Sequence, residues 1–460
     1  MVNELVSVVA ANDGFRPVLL LEVELSRPLP AVSAVDPTTG EAHKRVFTLV
    51  RLHTHPLGVA WLEIGEHGLA PDEFASQVWA HFQGRITEHL RQDDLPEMGE
   101  LGPDGLPTMA APPCTRDRRL VLEDAPFVSV VIPTRDRPEL IRTCLASLSA
   151  LDYPDYEVLV VDNAPSSDAT KVAVTEMTTI FPRARYLRED RPGASWARNR
   201  GLREARGEIV AFTDDDVTVD RYWLAQLVKG FGMADDVGCV TGNVLPRELA
   251  TPAQVWLEER GGFRRGFERR IYDMGENRSG HPLYPFSAMM FGSGNNMAFR
   301  ASVLRAIEGF DPALDPAGPA LGGEDLAAFF EVVVRGHRLV YEPAAFVNHL
   351  HRRDYEGLRR QMYGWGVGFS AFLTRSLIRH PQLIPNFTVK LPYGLFVLLR
   401  GRMPYSQSVV DHLDGLLPVA QTRALRRVES AGYWHGTLAY MRSRQRVRRL
   451  IGRYGGLSVA

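Results

Sequence analysis

"GEIVAFTDDDVTVD", residues 207–220, decides the fold, because a short apolar run ends there in three adjacent carboxylates. Three anions within one turn of chain repel one another, so gathering them needs either full exposure to water or a cation. Working outward, "FVSVVIPT" (127–134) ends in a polar tail, "RPELIRTCLASLSAL" repeats its apolar residues at helical spacing, and "YEVLVVDNA" is a second buried run. "ARYLRED" is a short third strand, "GASWARNRGLREARG" a helix and "EIVAFTDDD" a fourth strand. Strand and helix in alternation predict a mostly parallel sheet covered on both faces, an α/β fold. Ligands of such sheets sit at the carboxyl ends of the strands. Pro133, Thr134, Arg135 and Asp136, then Asp162 and Asn163, then Asp214, Asp215 and Asp216 occupy those ends and are expected to line one crevice.

In an extended segment Asp214 and Asp216 face one way and Asp215 the other. Two carboxylates are too few to cage Ca2+, but they suit Mg2+ or Mn2+ that shares its remaining positions with water and a diphosphate. A solvated acidic turn is the competing reading, and the apolar strand before it with Arg198 and Arg200 nearby weigh against that.

The chain has 460 residues, 45% hydrophobic and 23% charged, with a formal net charge of -2. That is the mix of an ordinary globular protein of two or three domains and not of a nucleic-acid binder. From residue 351 onward there are 18 Lys and Arg against 5 Asp and Glu, so the C-terminal quarter is basic. Cys114, Cys144 and Cys239 show no metal-ligand spacing, which predicts no structural zinc and a reducing, cytoplasmic setting. "MVNELVSVVAANDG" (1–14) lacks the features of a signal peptide, and "VKLPYGLFVLLRGR" (389–402) falls short of the ~20 apolar residues of a membrane span. Residues 1–95 read as a small α+β domain of unassigned role, with strands at "VLLLEVEL", "RVFTLVRLH" and "GVAWLEI" and a helix over 71–90. His53 and His55 in "LHTHPLG" have no third ligand nearby and read as plain structure. Residues 96–125 are rich in Pro and Gly and read as a linker. The catalytic unit is expected over 126–355, and a helical, basic region over 356–460.

Six stretches in order carry a resemblance: "VSVVIPTRDRPELIRTCLASL", "YEVLVVDNAPSSDAT", "GASWARNRGL", "VAFTDDDV", "FGSGNNMAFR" and "GGEDLAAFFEVVVRGHRLVYEPAAFVNHLHRR". Together they resemble the family 2 glycosyltransferases of bacterial type, here with an extra N-terminal domain. The resemblance implies the GT-A nucleotide-diphospho-sugar transferase fold. It also implies metal-dependent transfer of a sugar from a nucleoside diphosphate donor to an acceptor hydroxyl, as in cell-surface glycan, glycolipid or glycoconjugate synthesis. Pro133, Thr134 and Arg135 would border the nucleotide, with Asp162 accepting from base or ribose. Arg198 and Asn199 would hold the acidic segment or touch the diphosphate. Asp214 would contact ribose or metal, Asp216 is the surest metal ligand, and Asp215 leaves open which pair is used.

In "LGGEDLAAFFEVVVRG" (321–336) Leu326, Phe329, Phe330, Val333 and Val334 argue for a buried helix that starts with Glu324 and Asp325. Carboxylates in a first turn are favoured by the helix dipole, so capping is one explanation. The resemblance makes Asp325 the general base and Glu324 the residue that holds the acceptor or orients that base, with inversion at the anomeric carbon. In "FVNHLHRRDYEG" it makes His349 a third ligand of Mn2+ or Mg2+ beside Asp214 and Asp216, with His351 as runner-up. Asn295 and Asn296 of "GSGNNMAF" are candidate sugar contacts. The Arg-rich tail "YMRSRQRVRRLIGRYGG" suits peripheral contact with an anionic membrane at its inner face, which would serve a lipid-linked acceptor. An inactive nucleotide-sugar-binding module and a nucleotidyltransferase are the alternatives. "IPTRDRPEL" lacks the glycine that the latter class is expected to show.

Overall fold

The computed structural model describes residues 15–35, 40, 42–107, 112–400 and 419–455. The N-terminal stretch 1–14, read as lacking a leader, lies outside them. Strand β1 (Leu19–Glu24) pairs in parallel with β2 (Arg45–Leu52), which pairs antiparallel with β3 (His55–Glu63). Helix α1 (Pro71–Gln92) covers one face, where Phe74, Val78, Phe82, Ile86 and Leu90 meet Val46, Val50 and Leu52. On the opposite face Phe47 packs with Leu249 and Val255, and Leu49 with Leu245 and Phe346. Both faces of β2 are therefore buried, which is why "RVFTLVRL" carries apolar residues on both faces, Val46, Val50 and Leu52 on one and Phe47 and Leu49 on the other. Residues 96–125 are not irregular throughout: α2 (Pro113–Glu123) starts there, its opening proline set up for a first helical turn.

The main sheet has nine strands among the described residues. β4 (Val128–Thr134), β5 (Tyr156–Asn163) and β6 (Ala184–Glu189) run parallel, and β7 (Ile209–Thr213) pairs in parallel with the other edge of β4. The short β8 (Val217–Val219) follows, then β9 (Val237–Pro246), β10 (Arg270–Tyr272), β11 (Asn296–Arg300) and β12 (Arg338–His349). The order is β10-β12-β9-β11-β7-β4-β5-β6, with β8 against β12. β11 is antiparallel to both its neighbours, so the sheet is mixed beyond β7. The chain winds outward from β4 through β5 to β6 and then returns to β4's other side with β7. A sheet that reverses direction of winding opens a crevice at the carboxyl ends flanking that strand.

Helices cover both faces. α3 (Pro138–Ser149), α4 (Ala169–Thr178) and α6 (Trp223–Phe231) bury Val130, Ile132, Val158 and Val160, while α5 (Ala194–Glu204) covers Val131, Leu159 and Val161. That alternation, apolar on both faces, is the continuous run visible in the sequence. α7 (Pro252–Glu259), α8 (Ala301–Ala306) and α9 (Glu324–Val334) follow, with Phe329 and Phe330 of α9 fully buried. The C-terminal region is helical, as expected: α10 (Tyr355–Arg379), α11 (Ile384–Arg400) and α12 (Val419–Tyr454), α12 lying along α10. Among the described residues no helix is long and apolar enough to cross a membrane.

Gly201 in α5 is where helix and sheet come closest: a Cβ there would stand 2.3 Å from Val131 Cγ1 and 2.8 Å from Cγ2. Alanine is the better helix former by about 1 kcal/mol, but the stiff branched Val131 cannot yield, and overpacking costs about 1–3 kcal/mol. Gly201→Ala is therefore expected to lower the urea midpoint of unfolding. An unchanged or higher midpoint would mean that propensity outweighs the contact.

Candidate active site

The three strand ends expected to meet do so. Thr134 stands opposite Asp162 in the β4–β5 register, and Val131 opposite Phe212 in the β4–β7 register. Three residues further along, Thr134 Oγ1 donates to Asp215 Oδ2 at 2.7 Å. The acidic triplet is not extended: it turns between β7 and β8. Asp215 therefore folds back onto β4, where Arg137 Nη1 also donates to its Oδ1 at 2.9 Å. The same Arg137 nitrogen lies 3.5 Å from Asp216 Oδ2. Burial raises the pKa of Asp215 to about 6, against the pull of Arg137. Asp214 and Asp216 are likewise raised by burial.

Asp216 Oδ1 is buried and has no hydrogen-bond partner. It faces His349 Nε2 at 3.5 Å, because β8 pairs Val217 with His349. A chain of contacts assigns the protons behind that face. Burial works to raise Glu258 of α7, but Arg264 and His351 outweigh it and hold the carboxyl below its ordinary value. Ionised Glu258 Oε2 stands 3.1 Å from His351 Nε2, so that nitrogen carries the hydrogen. His351 Nδ1 then accepts from His349 Nδ1 at 2.9 Å. His349 Nε2 is left with a bare lone pair, and burial with the neighbouring His351 lowers its pKa to about 3, keeping it neutral. A bare imidazole nitrogen and a bare carboxylate oxygen facing each other repel unless a cation lies between them. Carboxylate and imidazole are donors that Mn2+ accepts and Mg2+ takes in part, so these residues fit the expected group.

Arg198 of α5 links this cluster to the second one. Its Nη2 donates to Asp214 Oδ1 at 3.0 Å and its Nη1 to Glu324 Oε1 at 2.6 Å. Burial alone would lower this guanidinium, but Asp214, Glu324 and Asp325 outweigh it and raise it. Glu324 is raised by burial, with Arg198 pulling the other way. Next to it, Asp325 Oδ2 accepts from Gly294 N at 2.9 Å and Oδ1 from Leu326 N at 2.8 Å. Asp325 is raised by burial, not held down as its place in a first helical turn suggests, because burial outweighs those two amide hydrogens and Arg198. Glu324 and Asp325 open onto a cavity of about 220 Å³ whose aromatic wall is Phe263, Trp365 and Phe369. Phe263 also meets the His349 ring edge-on at 5.0 Å, so one side chain borders both clusters.

The structure separates the remaining candidates. Asp162 Oδ2 accepts from the Tyr186 hydroxyl at 3.0 Å, its Oδ1 has no partner, and burial raises it to about 6. Pro133 stands beside Val161, one residue before the end of β4, and Arg135 is exposed, with its Nε 3.7 Å from Asp136 Oδ2. Asn295 is buried with its Oδ1 unpartnered. Asn296 faces away: its amide donates to the carbonyls of Asn243 and Ala345 and accepts from Trp223 Nε1 at 2.8 Å. Asn199 is tied at both ends to the backbone of Phe310. His351 has both nitrogens engaged, so it backs His349 and does not face the crevice. Glu258 and Phe263 lie in no motif, whereas Arg137 lies within the first stretch of the resemblance, at a strand-to-helix turn, without being singled out there. Outside this site, His53 stands within reach of His89, Asp93 and Cys114, a donor grouping that spacing along the chain did not suggest.

Residues 129–307 match the family model of glycosyl transferase family 2. The chain is 39% identical over 122 residues to the glycosyltransferase AglE of Haloferax volcanii, covering 26% of this chain and 40% of that protein. It is 30% identical over 265 residues to a pre-mycofactocin glycosyltransferase of Mycobacterium tuberculosis, covering 55% and 48%. The matched stretch thus spans less than half the length of these two relatives. Among solved structures, a mannosyltransferase from Pyrobaculum calidifontis, described in complex with GDP-Man and Mn2+, is 20% identical. It aligns over 75% of this chain and 83% of its own, with a TM-score of 0.39.

Arg198→Met leaves Glu324 buried, and Asp214 half-buried, without their counter-ion, and breaking a buried pair such as Arg198–Glu324 from one side costs about 3–5 kcal/mol. Urea unfolding of the variant is expected to show a loss of that size, partly recovered in Arg198→Met/Glu324→Gln. Additive losses in the double variant would mean that the two side chains are not coupled.

Proposed function

Because residues 129–307 match the family model of glycosyl transferase family 2, we propose that the chain moves a sugar from a nucleoside diphosphate donor to an acceptor hydroxyl, using Mn2+ or Mg2+ and inverting the anomeric carbon. The observation that carries this reading is the pair of bare donors, Asp216 Oδ1 and His349 Nε2, facing each other 3.5 Å apart at the carboxyl ends of the strands. Asp216 and His349 would hold the cation, with Asp214 on its Arg198-anchored carboxylate as the third protein ligand. Bound there, the cation would neutralise charge developing on the departing diphosphate.

Thr134, Arg135 and Asp162 border the nucleoside side of the crevice, Asp162 offering a free oxygen to base or ribose. Arg352, exposed near Asp216, and Arg137 supply positive charge toward the diphosphate. On the other side Asp325 accepts the proton of the acceptor hydroxyl as that oxygen bonds to the anomeric carbon and the bond from the carbon to the diphosphate oxygen breaks. Burial raises its basicity toward the range a general base needs, while Gly294 N and Leu326 N fix its direction. Glu324 and Arg198 position that base against the donor cluster. Phe263, Trp365 and Phe369 give the acceptor an aromatic wall suited to the apolar face of a sugar ring.

The basic C-terminal helices would bring the protein to an anionic membrane and a lipid-linked acceptor. α11 exposes Val389, Leu391, Tyr393 and Leu395, and α12 exposes Trp434, Leu438 and Met441. Vesicles containing anionic lipid are expected to sediment the protein and neutral vesicles much less, with Val389→Glu/Leu395→Glu released from both. Wild-type protein that stays in the supernatant with anionic vesicles would remove the membrane from the proposal.

Calorimetric titration with UDP, GDP, dTDP and CDP, with and without Mn2+, tests the central reading. One nucleotide should bind in a metal-dependent way, and Asp216→Asn and His349→Ala should each weaken it at least tenfold. Asp325→Asn should keep that binding and lose turnover by about 10²–10⁴-fold, the usual share of general base catalysis. Binding indifferent to metal would overturn the site, and release of pyrophosphate in place of nucleoside diphosphate would make the protein a nucleotidyltransferase.

A further inference from the structure

A second cluster of metal-binding side chains lies in the N-terminal unit, outside the crevice. His53 sits in the two-residue turn between β2 and β3, His89 and Asp93 one turn apart at the end of α1, and Cys114 in the first turn of α2. One donor atom from each of the four lies within 4.8 Å of the other three. His53 Nδ1 is 2.9 Å from Asp93 Oδ2 and 3.2 Å from His89 Nε2. Cys114 Sγ is 2.9 Å from Asp93 Oδ2 and 3.7 Å from His89 Nε2, and His89 Nε2 is 3.3 Å from Asp93 Oδ2.

Hydrogen bonding alone does not satisfy this geometry. Three groups converge on a single oxygen, Asp93 Oδ2, which has two lone pairs. His53 and His89 would each need a hydrogen on the nitrogen that faces Asp93, yet those two nitrogens also face each other. Either two hydrogens collide or one imidazole lone pair points at a carboxylate. One cation at the centre removes the conflict, because all four atoms then present lone pairs to the same point. The spacing agrees: zinc bonds of about 2.3 Å to sulfur and about 2.0–2.2 Å to nitrogen and oxygen, arranged tetrahedrally, separate the donors by roughly 3.3–3.6 Å. Of the six separations, four fall within about 0.4 Å of that, Cys114 Sγ to Asp93 Oδ2 is shorter by about 0.7 Å than a sulfur–oxygen pair on zinc, and His53 to Cys114 lies within 4.8 Å.

We propose that His53, His89, Asp93 and Cys114 bind one structural Zn2+. Thiolate, two imidazoles and one carboxylate favour zinc over Mg2+ or Ca2+, which prefer oxygen alone. Four protein donors close the coordination shell, so the ion staples and does not catalyse. The thiol of Cys114 gives up its proton to solvent as the sulfur bonds the metal. Two features prepare the site. Cys114 N donates to Asp93 Oδ1 at 2.9 Å and aims the carboxylate. His53 and Thr54 both take positive φ, 52° and 68°, a strained turn for a residue pair without glycine.

The staple joins three segments far apart in sequence, and its third leads into the main sheet. Arg118, one turn beyond Cys114 on α2, donates to Thr54 Oγ1 at 2.7 Å and lies 3.7 Å over the Tyr222 ring just ahead of α6. The ion would therefore fix how the N-terminal unit meets the rest of the chain.

The test uses the purified full-length chain. Metal analysis after dialysis against a weak chelator should find about one zinc per chain, retained in Asp216→Asn and lost in Cys114→Ser. Exchange with Co2+ should give the visible bands of a tetrahedral site and a thiolate-to-cobalt charge-transfer band, the latter absent in Cys114→Ser. Wild-type protein that shows no such charge-transfer band, or a band that survives in Cys114→Ser, would overturn the site without recourse to any variant's folding or to turnover. Nucleotide binding in the crevice reads out separately, so the two proposals fail independently.

Discussion

A guanidinium buried between two carboxylates is the constraint on which the site depends. Arg198 is 4% exposed, and a cation so placed is tolerable only where anions surround it. Its two partners come from different halves of the fold: Asp214 from the end of β7, Glu324 from the start of α9. The distance between the acidic turn and the Glu324-Asp325 pair is thereby set by one side chain. The helix that carries Arg198 is itself held at three points. Asp315 accepts from Ser195 N at 2.7 Å, Asn199 grips Phe310 at both amide ends, and Gly201 lets the helix settle on Val131. None of these contacts faces the crevice, yet each sets where Arg198 can reach.

A second constraint acts on proton position. His349 presents a bare Nε2 only because Glu258, anchored by Arg264, dictates the tautomer of His351, and His351 that of His349. Glu258 thus works two residues removed from the atom it controls. The arrangement also accounts for two histidines spaced two apart on one strand end, where one faces the crevice and its neighbour faces the protein.

The sheet was readable because its strands are apolar on both faces and end abruptly in polar residues. Val130 and Ile132 against one layer, Val131 against the other, leave buried Ser129 as the one polar residue in "VSVVI", while "VLVV" and "IVAF" have none. The acidic turn was legible in composition but not in shape. Asp215 turns back to Thr134 and Arg137, which the period of an extended strand cannot convey. Asn199 and Asn296 misled for a shared reason. An asparagine inside a stretch that resembles a family motif reads as facing a ligand, but its amide satisfies a backbone carbonyl and amide equally well, and only tertiary structure says which. Glu258 and Phe263 were invisible because they act from about ninety residues away, on a helix and loop with no motif of their own. His53, His89, Asp93 and Cys114 escaped similarly: only His89 and Asp93 share a helical spacing.

The N-terminal unit sits where it bears on the site, despite having no motif in common with it. Arg51 on β2 pairs with Asp220 at 2.8 Å and lies 5.1 Å from the ring centroid of Phe346. Asp220 stands four residues after Asp216, and Phe346 three residues before His349. The segments bearing those two bare donors are hydrogen-bonded to each other through β8 and β12, which sets Val217 opposite His349. Arg51 touches both from behind, and Phe47 and Leu49 seal the same face against Leu249, Leu245 and Phe346. The unit therefore braces the pair of strands that bring Asp216 and His349 together. Slack in the hairpin that carries Arg51 would reach the crevice through two strands only, without any residue of the unit entering it.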